Sequence, residues 1–164
     1  MTQCAQSPYL ATLEKTRHRY NGYNLLFGDI NSLKVYNNVN NSTHIIDTGV
    51  YGLSNADIAT PWPKVTQGVT ALNNYVTKQN IINDEDLFDI LRYDNKADDA
   101  LLPDTGVGYE WEKALSSIFI QSEKYGTPTS TLLLVDKNNT LTWKERRFSD
   151  KGEAQETRAF SFSI

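Results

Sequence analysis

Thr131-Leu132-Leu133-Leu134-Val135-Asp136-Lys137-Asn138-Asn139-Thr140-Leu141-Thr142-Trp143-Lys144-Glu145-Arg146-Arg147 is the stretch on which the fold class turns. Its first five residues form an apolar run of strand length, too short for a buried helix. Being apolar on both faces, Thr131–Val135 is expected to be a central strand. Lys137-Asn138-Asn139 supplies turn formers, and the chain returns through Thr140 to Arg147 with the alternation of a second strand. There Leu141 and Trp143 point one way and Thr142, Lys144 and Arg146 the other, as in a sheet with one wet face. Downstream, Phe160, Phe162 and Ile164 alternate with Ala159, Ser161 and Ser163, which predicts a last strand.

Upstream the periodicity changes. Ser117–Gln121 reads as a strand and Trp111–Leu115 as one helical turn, while the Asp, Pro and Gly content of residues 94–109 predicts a long loop, a candidate lid. Asp84, Glu85 and Asp86 place negative charge at the positive end of a short helix beginning at Asn83, with Leu87, Ile90 and Leu91 as its buried side. Val65, Val69, Leu72 and Val76 recur at helical spacing over 62–78, with Thr60 as cap and Pro61 as first helical residue. Before that, residues 23–29, 34–37, 43–46 and 49–54 are short and separated by Asn, Asp, Ser and Gly, the pattern of an antiparallel meander. A short helix around Leu10 and Leu13 precedes the Asn21-Gly22 turn. Strands, then helices, then strands predict an α+β fold of antiparallel sheets covered by helices, here in one domain over 1–164.

The 164 residues suit one ordinary domain, and 39% hydrophobic and 11% aromatic content is enough for a core. A net charge of −4 with no basic cluster removes the electrostatic footprint of nucleic-acid or anionic-membrane binding. No apolar run approaches the ~20 residues of a membrane span, and the start resembles no signal peptide, so a cytoplasmic setting is expected. The lone Cys4 agrees with a reducing compartment and reads as an unpaired surface thiol. The sequons at Asn40, Asn41 and Asn138 are then chance matches in an Asn-rich chain.

Cys4, His18 and His44 are scattered, so no metal site is expected. Gly106-Val107-Gly108 lacks the context of a nucleotide loop, and the acidic run 94–99 lacks the oxygen spacing and central glycine of a calcium loop. Tyr51-Gly52-Leu53-Ser54-Asn55, just before Thr60-Pro61-Trp62-Pro63, is a strand-to-helix junction of the kind from which an oxyanion hole or anion site is built. On spacing alone the signal is weak, and Asn55 reads better as a turn former.

Tyr20-Asn21-Gly22-Tyr23-Asn24-Leu25-Leu26, Tyr51–Ala56 with Thr60–Val65, Leu102–Val107 with Leu115-Ser116 and Phe119-Ile120, Tyr125-Gly126-Thr127 with Ser130–Asp136, and Glu156-Thr157-Arg158 together resemble the NRDE family, of the transport and Golgi organisation type, in order and spacing. The resemblance covers nearly the whole chain from Tyr9. Family members begin with Met-Cys and carry an Asn-Arg-Asp-Glu motif, so the resemblance implies a C-terminal portion lacking that segment and non-catalytic as it stands. Its fold is similar to the N-terminal-nucleophile hydrolases, an αββα sandwich. The resemblance implies Asn55 as an oxyanion contact and, more weakly, Arg158 as a catalytic partner; Arg158 also reads as a strand-end residue paired with Glu156 or Asp150. Tyr51, Ser54, Asn55 and Trp62 are the implied ligand-binding residues. Pro128 stands where the family commonly has Arg after Gly-Thr. The implied role is binding and trafficking of haem or a similar amphipathic ligand, with no resident cofactor. The alternative is a remnant of an amidohydrolase. Haem would have to use His18, His44 or an aromatic-lined cleft. A sandwich short of strands exposes apolar faces and edges, so self-association or a partner that fills the gap is expected.

Overall fold

The computed structural model describes residues 8–58, 60–123 and 125–164; the expectation for Cys4 lies outside them. The chain forms two compact units, Met1–Pro61 and Trp62–Ile164.

In the first unit, helix α1 (Pro8–Thr16) and a short 3-10 turn lead into a meander of β1 (Asn24–Asp29), β2 (Ser32–Asn37) and β3 (Ser42–Ile46), in the order β1-β2-β3 and antiparallel throughout. The two-residue connection between β1 and β2 is held by Asn31 N–H donating to Asp29 Oδ1 at 2.8 Å. Gly28, opposite Leu33, adopts φ +129°, where a Cβ would meet Ser32 O at 2.1 Å, so the strand needs glycine there. Tyr36, fully buried, and Val35 form the centre, and Leu10 is the buried residue of α1. Buried Asn38 works as a polar rivet. Its amide donates to Arg17 O and Asn21 O at 3.1 Å each and accepts from Tyr23 N–H at 2.6 Å, leaving little of its hydrogen-bonding capacity unmet.

Residues 49–54, expected as a fourth strand, are irregular. Asn24 Nδ2 donates to both Ser54 O and Ala56 O at 2.8 Å, so a side chain, not a neighbouring strand, satisfies these carbonyls.

In the second unit, α2 (Pro63–Lys78) begins two residues later than expected, with Trp62 as cap and Pro63 at the first helical position. The residue before a proline is pushed to extended conformation, and Trp62 sits at φ −60°, ψ 150°. Tyr75 is the buried residue of α2, whereas Val76 of the predicted stripe is largely exposed. The Tyr75 hydroxyl accepts from Asn83 N–H at 2.6 Å, joining α2 to α3 (Asp84–Leu91), and Asn83 caps α3 by accepting from Glu85 N–H at 3.0 Å. After α4 (Tyr109–Ala114), the antiparallel sheet β4 (Thr129–Val135), β5 (Thr140–Phe148), β6 (Ala154–Ser163) has the order β4-β5-β6. Thus β5 is central and β4, expected there, is an edge strand among the described residues.

The expected wet face is also reversed. Phe88 (3% exposed), Leu87, Tyr75 and Leu132 form the core, with Leu72, Ile90, Leu91 and Leu134 packed on it. Leu132 pairs with Lys144 in register and lies on that side. The charges survive under the helix because α3 meets them: Lys144 pairs with Asp84, and the Arg146 guanidinium binds both Glu85 oxygens at 2.9 and 2.6 Å while lying 4.0 Å from the Phe88 ring centroid. The opposite face carries Leu133, Trp143 and Phe160 in one row and Val135, Leu141 and Phe162 in the next. Leu133, Trp143, Phe160 and Phe162 are 55, 41, 61 and 53% exposed.

Residues 117–121 form no strand; they make individual bonds, Phe119 N–H to Tyr93 O at 2.8 Å and Ile120 N–H to Thr127 Oγ1 at 2.9 Å, with one isolated bridge between Gln121 and Gly126. Arg92, at the end of α3, stacks on Phe119 at 3.7 Å and donates to Gly152 O at 2.7 Å in the β5–β6 turn. Among the described residues the architecture is α+β, two three-stranded antiparallel sheets with four α-helices. Among the described residues no helix is long and apolar enough to cross a membrane.

Candidate functional site

In the first unit the clamp by Asn24 fixes the backbone on either side of Asn55, whose side chain is exposed. Tyr51, on the same loop, is 46% exposed, and Ser54 is half-buried with its carbonyl taken by Asn24. Trp62 and Arg158 belong to the second unit. Trp62 caps α2 with the Lys64 ammonium 5.7 Å from its ring, and exposed Arg158 pairs with Glu156 at 3.0 Å.

Close to this loop is a residue that the motifs did not single out. Asp57 accepts from Asn40 Nδ2 and Ser42 Oγ, both at 3.1 Å, and hydrogen bonding, led by Asn40, holds its carboxyl below the ordinary value despite burial. His44 Nε2 lies 3.0 Å from Asp57 Oδ1, though not in hydrogen-bond geometry. His18 sits in the 3-10 turn after α1, and among the described residues no group of three His, Cys, Asp or Glu side chains gathers as metal ligands.

The second unit draws several of the motifs together around α4. Glu112, buried, accepts from both the backbone N–H and hydroxyl of Thr105 at 2.6 Å, and these bonds, the hydroxyl first, hold its carboxyl below the ordinary value. Lys113 donates to Ala97 O at 2.7 Å and pairs with Asp99, while Ser116 Oγ accepts from Ala97 N–H at 2.9 Å. The predicted lid, residues 94–109, is therefore laced to α4 at three points. Lys64 donates to Leu115 O at 3.0 Å. Its amine is pushed below the ordinary lysine value, chiefly by burial, with Glu112 acting the other way. Trp-Pro-Lys at 62–64 and Glu112 were the available sequence signals, but a lysine at the start of a helix ordinarily reads as solvated.

Two cavities of about 330 Å³ each lie in this unit. One adjoins Phe119, Tyr125–Pro128 and the turn 148–152; the other lies among α2, residues 93–101 and Ser116-Ser117.

Comparison with known proteins is consistent with the arrangement of these motifs. The family model described as Transport and Golgi organisation 2 matches residues 1–150. The mouse Transport and Golgi organization 2 homolog is 30% identical over 170 residues, covering 95% of this chain and 62% of that protein. The human homolog is 31% identical over 170 residues with the same coverage, and the bovine one 31% over 151 residues, covering 84% and 55%. The chain thus spans about three fifths of the length of the curated relatives it matches. With a family match across most of its length and near-complete alignment to two mammalian relatives, this chain belongs to the Transport and Golgi organisation 2 family.

Proposed function

We propose that the chain is the ligand-holding, non-catalytic portion of a longer cytoplasmic family protein, and that it takes haem or a similar amphipathic molecule in transport. The observation that supports this most is the exposed face of the second sheet, where Trp143, Phe160 and Phe162 stand beside Leu133, Leu141 and Val135. An apolar surface of this kind on a soluble domain marks a place that is covered in use. A flat porphyrin or an acyl-bearing molecule would stack on the aromatic rows. In the same reading an uncovered face promotes self-association. The names of the mouse and human relatives refer to transport and Golgi organisation.

The test is titration of the chain with haem, following the Soret band together with tryptophan emission. A saturable Soret shift at one haem per chain, with quenching lost in the double variant Trp143→Ser, Phe160→Ser, supports the carrier. Non-saturating absorption, unchanged by that variant, refutes it.

A second reading, the remnant of an amidohydrolase, draws on the Asn24 clamp, which presents Asn55 on a fixed backbone as an oxyanion contact requires. Arg158, ion-paired on the exposed sheet face, lends it no support. Amide hydrolysis by a full-length relative, lost on changing the residue aligned with Asn55, would favour this reading over the carrier.

A further inference from the structure

We propose that the cavity bounded by the start of α2, residues 93–101 and Ser116-Ser117 binds a small anionic group, a carboxylate or phosphate, through the ammonium groups of Lys64 and Lys96. The site is separate from the aromatic face and does not depend on the carrier reading.

Lys64 and Lys96 line a space of about 330 Å³ that also has Gln67 and Asn95 on its wall. Lys64 is half-buried, and its three N–H donors have one hydrogen-bond acceptor among the described residues, Leu115 O. No carboxylate of the described residues forms an ion pair with it. Glu112 acts on Lys64 through space, but its Oε1 is engaged by Thr105. A partly desolvated ammonium with spare donors is stabilised by an anion. The side chains of Lys96 and Gln67 are exposed and make no hydrogen bond among the described residues, so both are available to the same guest.

The opposing charge on the wall is Asp98, which is exposed, against two lysines. The neighbouring Asp99 is taken by Lys113. Around 330 Å³ accommodates a small metabolite rather than a polymer. Lys64 is below its ordinary value because burial costs the ammonium its hydration, an effect that the charge of Glu112 only partly offsets. A bound anion reverses that balance, so binding draws a proton onto Lys64 and makes its amine less nucleophilic.

Lysine reactivity therefore tests the site. The chain is labelled with an amine-acylating reagent at mildly alkaline pH, with and without inorganic phosphate or succinate. Sodium chloride at matched ionic strength is the control, and each lysine is read by peptide mass spectrometry. Protection of Lys64 and Lys96, with Lys34, Lys78 and Lys137 unchanged, is the expected result. Protection by phosphate alone identifies a phosphate site, and by succinate alone a carboxylate site. Equal labelling of Lys64 in phosphate, succinate and chloride overturns the proposal. Because Lys64 also binds Leu115 O, its replacement risks the fold, so the variants are Lys96→Gln and Gln67→Glu, both at exposed positions. Each should weaken the protecting anion about tenfold, Lys96→Gln by removing one charge-assisted contact and Gln67→Glu by setting a carboxylate against the anion. Undiminished protection in both variants would equally overturn it.

Discussion

Phe88→Ala is expected to uncouple α3 from the second sheet. The ring is 3% exposed and packs with Tyr75, Leu87 and Leu132 on one side of the sheet, with the Arg146 guanidinium 4.0 Å from its centroid. Truncation of a buried phenylalanine costs ~3–5 kcal/mol through lost transfer energy and the cavity left behind. The cation–π contact accounts for ~0.5–1 kcal/mol of that. A domain of about a hundred residues holds only ~5–15 kcal/mol in total, so the variant should retain a small margin or none. At ~4–8 °C per kcal/mol, its melting point should fall by well over 10 °C. The assay is urea denaturation followed by tryptophan emission. Trp62, Trp111 and Trp143 are the three tryptophans, and all belong to the second unit, so the signal reports this unit alone. Phe88→Leu serves as control and should cost under ~1.5 kcal/mol, since volume is largely kept. A loss below about 1 kcal/mol for the alanine variant, with the denaturant slope unchanged, would refute the placement of Phe88 in the core.

Three further outcomes are expected. Gly28→Ala forces φ +129° on a residue with a Cβ, against Ser32 O at 2.1 Å, and should destabilise the first unit by at least ~1 kcal/mol, read by hydrogen exchange of the β1 and β2 amides. Asn24→Ala strands two carbonyls at a cost of ~1–3 kcal/mol and should raise hydrogen exchange across residues 51–58 while α3 stays protected. Asp57 and Glu112 are both held below their ordinary values of 3.8 and 4.5. The stability they add is complete above those values and fades as pH falls through their lower folded ones, so Glu112→Gln should flatten the acid limb of the tryptophan-detected transition and leave hydrogen exchange of β1, β2 and β3 in the first unit unaltered.

Local chemistry made much of this legible in the sequence. The Asn- and Asp-punctuated strands at 24–46, the Asn83 cap and the β4–β5 hairpin follow from rules that act over a few residues. What was misread depends on partners distant in the chain. Lys144 and Arg146 look like a solvated face until Asp84 and Glu85 are placed above them. Trp143 then turns outward, and β4, apolar on both sides, proves to have one side in the core and the other on the exposed aromatic surface. At the strand expected over 49–54 no ladder forms, and at its end the Asn24 amide takes the carbonyls of Ser54 and Ala56. Asn55 and Trp62 were singled out by motif, whereas Lys64, Glu112 and Asp57 draw their character from burial and hydrogen bonds that no spacing rule encodes.

The clasps on α3 set the order in which the second unit can form. Asp84 waits for Lys144, Glu85 for Arg146, and Arg92 for Gly152, each about sixty residues later in the chain. Loop closure over that span must precede any reward, which raises relative contact order and slows folding compared with a helical bundle of the same size. During synthesis α3 therefore emerges without its sheet, with Phe88 and Leu87 uncovered on their sheet side until β4 and β5 clear the ribosome. For that interval the nascent chain displays its future core, and a chaperone that binds apolar helical segments has a defined window in which to act.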